Sequence, residues 1–261
     1  MKTSRRDRLI TDEGELVPTG FAPCSPLRAP RSALEPAFTR AELLVILAVL
    51  ALLALVVLPA LANNRPRSAR VICANNLRQI GMAMQLWGSD HGDLPPQMVM
   101  TNDGGTRRHS LAPNTWLHFA WISNELVHPQ LVLCPSDNGQ PARDFTGDPT
   151  GGYLHPNFRN RATSYFLGYG GVDFDDARQI IAGDRNITTD GAGGCSYFNA
   201  ADNIGVPPRP GIGQWTNGLH TGVGNVLSRD GRAAQFSNSA LRDALLTGFT
   251  DAASKHIILP R

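Results

Sequence analysis

The sequence predicts an α+β protein, in which a long N-terminal helix packs on a C-terminal domain with an antiparallel β-sheet. Three observations predict this fold class. An uncharged apolar run extends over residues 43–62, an apolar stripe at helical spacing follows over residues 73–87, and short apolar segments separated by Gly, Pro, Asn and Asp fill the remainder. The helix is expected to be transmembrane in its first half and amphipathic in its second half.

The apolar run is long enough to cross a membrane. It holds twenty residues without a charge, and about 20 apolar residues span a hydrocarbon core as a helix. A helix buried in a protein core would normally keep a polar face, and this run has none. Glu42 stands at its edge, where a carboxylate requires a partner or water. We therefore expect a membrane anchor with an acid at its boundary.

The helix is predicted to continue to about Trp87. Apolar side chains are spaced by four, three, four and three residues, which places them on one helix face. They are Cys73, Leu77, Ile80, Met84 and Trp87. Gly88 and the turn-rich segment after it end the helix.

Short segments after residue 115 predict the sheet and two short helices. Helices are expected at 116–122 and 239–249, and a strand is expected to start within 131–135. The other strands are expected within 164–171, 177–184, 224–237 and 256–260. Asp230-Gly231 interrupts one of these runs and predicts a two-residue hairpin turn in which both residues have positive φ.

Composition limits the functional classes. The net charge is +2, so bulk electrostatics gives no indication of a nucleic-acid partner. The four cysteines form no Cys-x-x-Cys pair, which leaves a zinc ribbon or a thioredoxin motif unsupported. Outside the cytoplasm a disulfide among Cys73, Cys134 and Cys195 is plausible, with Cys73–Cys134 as the preferred pair, and the alternative is that one or more of these cysteines are small buried apolar residues.

Two polar patterns are candidate sites. Asp184, Asn186, Thr188 and Asp190 occupy alternate positions before Gly191, which resembles the spacing of calcium-binding oxygens, although no Glu follows at the required distance. The alternative to a calcium site is a polar turn.

His220 and Asp230 could form a catalytic dyad, but a hairpin turn at Asp230 with His220 packed at its base is preferred. We expect no enzyme activity and no cofactor, because no Gly-x-Ser-x-Gly or His-Glu-x-x-His motif occurs.

The run FTRAELLVILAVLALLALVVLPALA resembles the N-terminal segment of type IV pilins and type II secretion pseudopilins. This resemblance implies that a prepilin peptidase cuts between Ala37 and Phe38 and that the new amino group of Phe38 is methylated. It also implies that Glu42 faces the N-terminal amine of a neighbouring subunit in a filament. The chain would then divide into a disordered leader (1–37), a transmembrane helix (38–64) and an extracytoplasmic domain (65–261).

The remainder resembles the DUF1559 family, whose prepilin-type members carry an H-X9-DG feature near the C-terminus. The segments that carry the resemblance are CANNLRQIGMAMQLWGSDHGDLPP, LVLCPSD, SYFLGYGG, IIAGDRN and HTGVGNVLSRDGRAAQFS. In the last segment, His220 and Asp230-Gly231 enclose nine residues. The resemblance implies a pilin-like fold and a structural role for this motif.

The expected function is a structural subunit of a type II secretion or type IV pilus-like filament. Its partners would be the membrane, other pilin-like subunits and the prepilin peptidase, and it would cross the bacterial inner membrane once. Arginines flank both ends of the apolar run, so the positive-inside rule does not decide the orientation.

The alternative function is that of an uncleaved, membrane-tethered binding domain that does not polymerise. Ala37 in place of Gly, and Arg40 in place of an apolar residue, favour that alternative. A tethered hydrolase has only His220 and Asp230 in its favour.

Overall fold

A computed structural model describes residues 39–169, 177–189, 202–203, 212–247 and 256–261. Contacts divide the chain into two compact units, Met1–Leu52 and Leu53–Arg261. The leader, Ala37, Phe38 and Asp190 lie outside the described residues. The description therefore covers the long helix and most of the C-terminal domain.

The long helix α1 extends over Arg40–Gly88, which confirms the helix predicted from about Thr39 to Trp87. Its first part, Arg40–Leu58, is long and apolar enough to cross a membrane and buries none of its apolar window. The exposed fractions of its large apolar side chains range from 43 % at Ile46 to 75 % at Leu55. Among the described residues, no protein core covers these side chains.

The second part of α1 is buried on one face, as its spacing predicts. Each residue of the predicted stripe is at most 9 % exposed. In the core the stripe packs with Leu167, Ile181 and Leu227 from the sheet. The burial of this stripe helps to fix the helix to the domain, because burying an aliphatic or aromatic side chain stabilises by roughly 1.5–3 kcal/mol.

Six antiparallel strands form one sheet with the order β3-β6-β1-β2-β4-β5. The strands are β1 (Tyr165–Tyr169), β2 (Ile180–Asp184), β3 (Asp202–Asn203), β4 (Gly224–Ser228), β5 (Ala233–Phe236) and β6 (His256–Ile258). Short helices are α2 (Thr115–Trp121), α3 (Ser123–Leu126) and α4 (Asn238–Thr247), with 3-10 turns at Thr101–Asp103, Pro129–Val132 and Arg159–Ala162. The predicted α+β class with an antiparallel sheet is confirmed.

Two local predictions are wrong. The expected strand within 131–135 does not form: Leu131 and Val132 belong to the 3-10 turn Pro129–Val132, and the Cys134 amide donates to the Ser164 hydroxyl instead of to a neighbouring strand. The hairpin at Asp230-Gly231 has three loop residues, since the Ser228 amide donates to the Arg232 carbonyl at 2.9 Å and the Gly231 amide donates to the Ser228 carbonyl at 3.0 Å. Among the described residues of this loop only Gly231 has positive φ, at 79°. This is a type I turn followed by a left-handed residue.

Gly168 in the central strand β1 is a position where a side chain is excluded. A Cβ added there would overlap the carbonyl oxygen of Ile180 on the neighbouring strand. Gly168→Ala is therefore expected to lower the free energy of unfolding by roughly 2 kcal/mol, because the sheet must shift to admit the methyl group. Chemical denaturation measures the change. Gly147→Ala is the matched control, since its Cβ would meet nothing within 4 Å; an equal loss in both variants would contradict the expectation.

His118 on α2 predicts an acid-dependent loss of stability. Its ring is fully buried, with Nδ1 at 2.7 Å from the Thr106 hydroxyl and Nε2 at 2.8 Å from the Ala112 carbonyl oxygen. Burial lowers its pKa from 6.5 to about 4. The unfolded state therefore binds more protons between these two pKa values, and stability falls as the pH drops from 6.5 towards 4, by about 3 kcal/mol in total.

The measurement is the free energy of unfolding at pH 7 and at pH 4.5 for the protein and for His118→Gln. The difference in the free energy of unfolding between the two proteins should be smaller at pH 4.5 than at pH 7, because the variant has no proton to take up at this position. His128→Gln is the control, since His128 is exposed. If both variants respond to pH alike, burial of His118 is not the cause.

Candidate functional site

A disulfide joins Cys73 of α1 to Cys134, which follows the 3-10 turn Pro129–Val132. The two Cα atoms are 5.3 Å apart, and both residues are fully buried. This is the pairing that the sequence analysis preferred. The bond connects the domain part of the long helix to a loop 61 residues further along the chain.

The imidazole of His220 lies against this disulfide. Its Nε2 atom is 3.4 Å from the Sγ atom of Cys134 and 3.4 Å from the Oδ2 atom of Asp184. His220 is 3 % exposed and Asp184 is fully buried. His220 thus contacts a carboxylate that the sequence analysis did not pair with it.

Asp184 is the last residue of β2, and its side chain reaches towards β4. Its Oδ2 atom accepts hydrogen bonds from the backbone amide of Asn225 at 2.6 Å and from the Asn225 side-chain amide at 2.9 Å. Its Oδ1 atom is buried and has no hydrogen-bond partner among the described residues. The adjacency of β2 and β4 in the sheet produces this contact.

Both members of the Asp184–His220 pair are shifted towards their neutral forms. Burial raises the pKa of Asp184 from 3.8 to about 7, against the effect of its bonds from Asn225. Burial also lowers the pKa of His220, and the nearby charge of Arg70 lowers it further. The distance alone would permit an ion pair, but the shared burial favours a neutral carboxylic acid beside a neutral imidazole.

A second polar chain leads from the disulfide to the protein surface. The backbone amide of Cys134 donates to the Ser164 hydroxyl at 2.9 Å, and that hydroxyl donates to the Oδ2 atom of Asp137 at 2.6 Å. The Oδ1 atom of Asp137 accepts a hydrogen bond from the guanidinium of Arg185 at 2.5 Å. We call Cys134, Ser164, Asp137 and Arg185 the polar relay. Sequence reasoning missed it, because its members come from separate segments.

Asp230 and Gly231 form the turn of the β4–β5 hairpin, away from the contacts of His220. The Oδ1 atom of Asp230 accepts from the backbone amide of Arg232 at 3.0 Å, and Gly231 supplies the positive φ of the turn. The carboxylate beside His220 is that of Asp184, so the described geometry provides no contact for a His220–Asp230 dyad. The motif combines a turn at one end of the β4–β5 hairpin with a packed histidine before its first strand.

Two metal hypotheses bear on this region. Ligand-type atoms of Cys73, Cys134 and His220 lie within 4.8 Å of one another, but cysteine binds metal as a thiolate and both sulfurs here form a disulfide.

The residues of the calcium hypothesis already have protein partners. Asn186 donates from Nδ2 to the carbonyls of Thr216 and Val223, and the Asp184 carboxylate accepts from Asn225. Asp190 lies outside the described residues, and the calcium loop stays a prediction.

Glu42 caps its own helix. The Thr39 backbone amide and hydroxyl both donate to the Oε2 atom of Glu42, at 2.8 and 3.0 Å, and the Glu42 amide donates to the Thr39 hydroxyl at 3.2 Å. This reciprocal pattern is a capping box, which satisfies amides that the first helical turn leaves without partners. The spacing Thr-x-x-Glu is the signal that could have predicted it.

Comparison with known proteins gives a family match. The model of a family described as a protein of unknown function, DUF1559, matches residues 64–195, just over half of the 261 residues. The matched range includes both cysteines of the disulfide, all four residues of the polar relay, and Asp184. No curated protein matches, and no solved structure matches.

Proposed function

We propose that this chain, which belongs to the DUF1559 family, is a membrane-anchored, pseudopilin-like structural subunit of an envelope filament. One observation carries the proposal. The helix segment Arg40–Leu58 is strongly apolar and wholly exposed, whereas the later part of the same helix buries a narrow stripe in a domain core. An apolar helix of this length that its own chain leaves uncovered is typical of a segment that is covered by lipid or by other helices.

The boundary carboxylate supports assembly through this helix. In the single chain Glu42 contacts only groups of Thr39 among the described residues, all of them neutral. A charge at the edge of the hydrocarbon region is stabilised further by an opposite charge. The N-terminal amine of a neighbouring subunit, exposed by a prepilin peptidase before Phe38, would supply it.

The disulfide supports an extracytoplasmic position for the C-terminal domain. Disulfides persist in oxidising compartments and are rare where thiols are kept reduced. We therefore place the anchor in the bacterial inner membrane as a single span with the domain outside the cytoplasm. In this role the protein is not an enzyme and requires no cofactor; His220 packs on the disulfide and Asp184 contacts His220.

Mass spectrometry of the mature protein, purified from membranes of a bacterium with a prepilin peptidase, tests the proposal. The expected N-terminus is N-methylated Phe38. Glu42→Gln should leave the cleavage position before Phe38 unchanged and reduce the amount of cross-linked oligomer, while Met82→Gln is a control at an exposed position of the domain part of α1. An intact leader on a protein that forms no oligomer would contradict the filament proposal.

That contradicting result would favour the second candidate, a tethered extracytoplasmic binding domain. A surface cleft lined by several arginines favours it independently of the anchor. The two candidates share the membrane span and differ in cleavage and in self-association.

A further inference from the structure

A surface cleft of about 340 Å³ is rich in arginine and contains no acidic residue among the described residues that line it. It is formed by the 3-10 turn Arg159–Ala162 with residues of α2, the end of β2 and the last residues of the chain. The lining side chains that matter are Trp116, Phe158, Arg159, Arg161, Arg185 and Arg261. The volume lies at the lower end of the range for small-molecule sites, roughly 300–1,000 Å³.

Arg159 is held in a fixed position in this cleft. Its Nε atom donates to the carbonyl of Leu154 at 2.9 Å, and its guanidinium carbon lies 4.5 Å from the ring centre of Trp116. Stacking on an aromatic face fixes the plane of a guanidinium and leaves its edge for hydrogen bonding. The backbone φ of Arg159 is +31°, a conformation that non-glycine residues rarely adopt and that often marks a functional position.

Arg185 is fixed from the opposite direction by the polar relay. Asp137 binds one of its terminal nitrogens, and Asp137 is itself held by Ser164, whose hydroxyl accepts from the amide of Cys134. The side chain of Arg185 is still 33 % exposed, whereas that of Asp137 is 3 % exposed. A buried carboxylate therefore orients a guanidinium whose remaining donors reach the cleft.

Arg161 supplies a third positive charge at the same opening. It is exposed, and its side chain makes no hydrogen bond or ion pair within the described parts of the chain. Asp137 compensates one of the charges of Arg159, Arg161 and Arg185, and the terminal carboxylate of Arg261, whose oxygen accepts from the Asn160 side chain, offsets the guanidinium of Arg261. The cleft thus has a local excess of positive charge beside two aromatic rings, those of Trp116 and Phe158.

We propose that this cleft binds a small organic oxyanion, with its carboxylate, sulfate or phosphate group between Arg159, Arg161 and Arg185. Planar guanidinium groups bind such oxygens in a bidentate manner, and charge-assisted hydrogen bonds are the stronger class. The aromatic rings provide an apolar surface for a sugar or ring attached to the anionic group. This site is separate from the anchor, so its failure would leave the proposed filament role unaffected.

The alternative for any arginine cluster is a solvated surface without a ligand. The two can be distinguished, because a site requires particular arginines and a solvated surface responds only to total charge. Arg161→Gln and Arg159→Gln remove charges from the cleft. Arg242→Gln removes the same charge from an exposed position of α4 and is the matched control.

Isothermal titration calorimetry of the full-length protein in detergent at low ionic strength tests the proposal. The probes are inorganic sulfate, benzoate and glucuronate, with glucose as the neutral comparison. We expect saturable binding of at least one anion, competition between the anions, and no binding of glucose. Arg161→Gln and Arg159→Gln should each weaken binding roughly tenfold, and Arg242→Gln should change it little.

The tightest probe identifies the source of the oxyanion. Tighter binding of glucuronate than of sulfate assigns a saccharide acid, and tighter binding of benzoate assigns an aromatic acid. A preference for sulfate over both would overturn an organic ligand, because the aromatic rings would then contribute nothing to binding. Absence of saturable binding by every anion would overturn the proposal. Equal weakening by Arg161→Gln and Arg242→Gln would also overturn it, because binding would then follow net charge.

Discussion

Removal of the Cys73–Cys134 disulfide is expected to lower the free energy of unfolding of the C-terminal domain by about 4 kcal/mol. The bond closes a loop of 61 residues, and the chain-entropy relation gives roughly this value for a loop of that length. Both sulfurs are fully buried against His220, so the packing of the imidazole is lost as well. For a domain of ordinary stability this is a large share of the total.

Thermal unfolding of the protein and of Cys73→Ala/Cys134→Ala, each with and without a phosphine reductant, measures this effect. The reductant should lower the unfolding temperature of the unmodified protein towards that of the double variant. It should not change the double variant, which controls for the other two cysteines of the chain. A reductant effect of equal size in both proteins would show that this disulfide does not stabilise the domain.

Leu50→Arg/Leu53→Arg is expected to abolish anchoring in the membrane. Both leucines are more than half exposed in the apolar segment, at 55 % and 53 %. An arginine near the centre of a spanning helix costs about 2.5–3.5 kcal/mol on insertion scales, so two should cost about 6 kcal/mol. That is enough to reverse the insertion of a segment of this length.

The measurement is the fraction of newly made protein that stays in membrane vesicles after alkaline extraction. Met82→Arg/Leu86→Arg is the matched control, since both residues are exposed in the domain part of α1, at 54 % and 62 %. The control should remain in the vesicles and the first variant should be extracted. Equal extraction of the two variants would mean that the apolar segment does not anchor the chain.

The sequence was sufficient for the elements that depend on periodicity. The stripe from Cys73 to Trp87 predicts its buried face correctly, because a helix brings residues three and four apart onto one side. The prediction of a strand within 131–135 was wrong, since a short apolar run in the sequence does not distinguish a strand from a buried turn. The hairpin at Asp230 was placed correctly, and its turn type was not, because Asp-Gly also suits a three-residue loop.

The candidate site was less accessible to sequence reasoning. The contact between Asp184 and His220 depends on β2 and β4 being neighbours in the sheet, although β3 lies between them in the chain. The polar relay likewise joins residues from three segments. Side chains that meet through strand order leave no spacing signal along the chain, so the geometry had to be observed.

The location of the apolar helix relative to lipid shows directly whether the segment Arg40–Leu58 spans a membrane. A small fluorescent non-natural amino acid placed at position 50, or at position 82 for comparison, reports its surroundings in reconstituted liposomes. If the apolar helix spans the membrane, the probe at position 50 is quenched by nitroxide groups on the lipid tails and protected from aqueous iodide, whereas the probe at position 82 shows the opposite behaviour. Quenching of both probes by iodide alone would contradict a helix that spans the membrane.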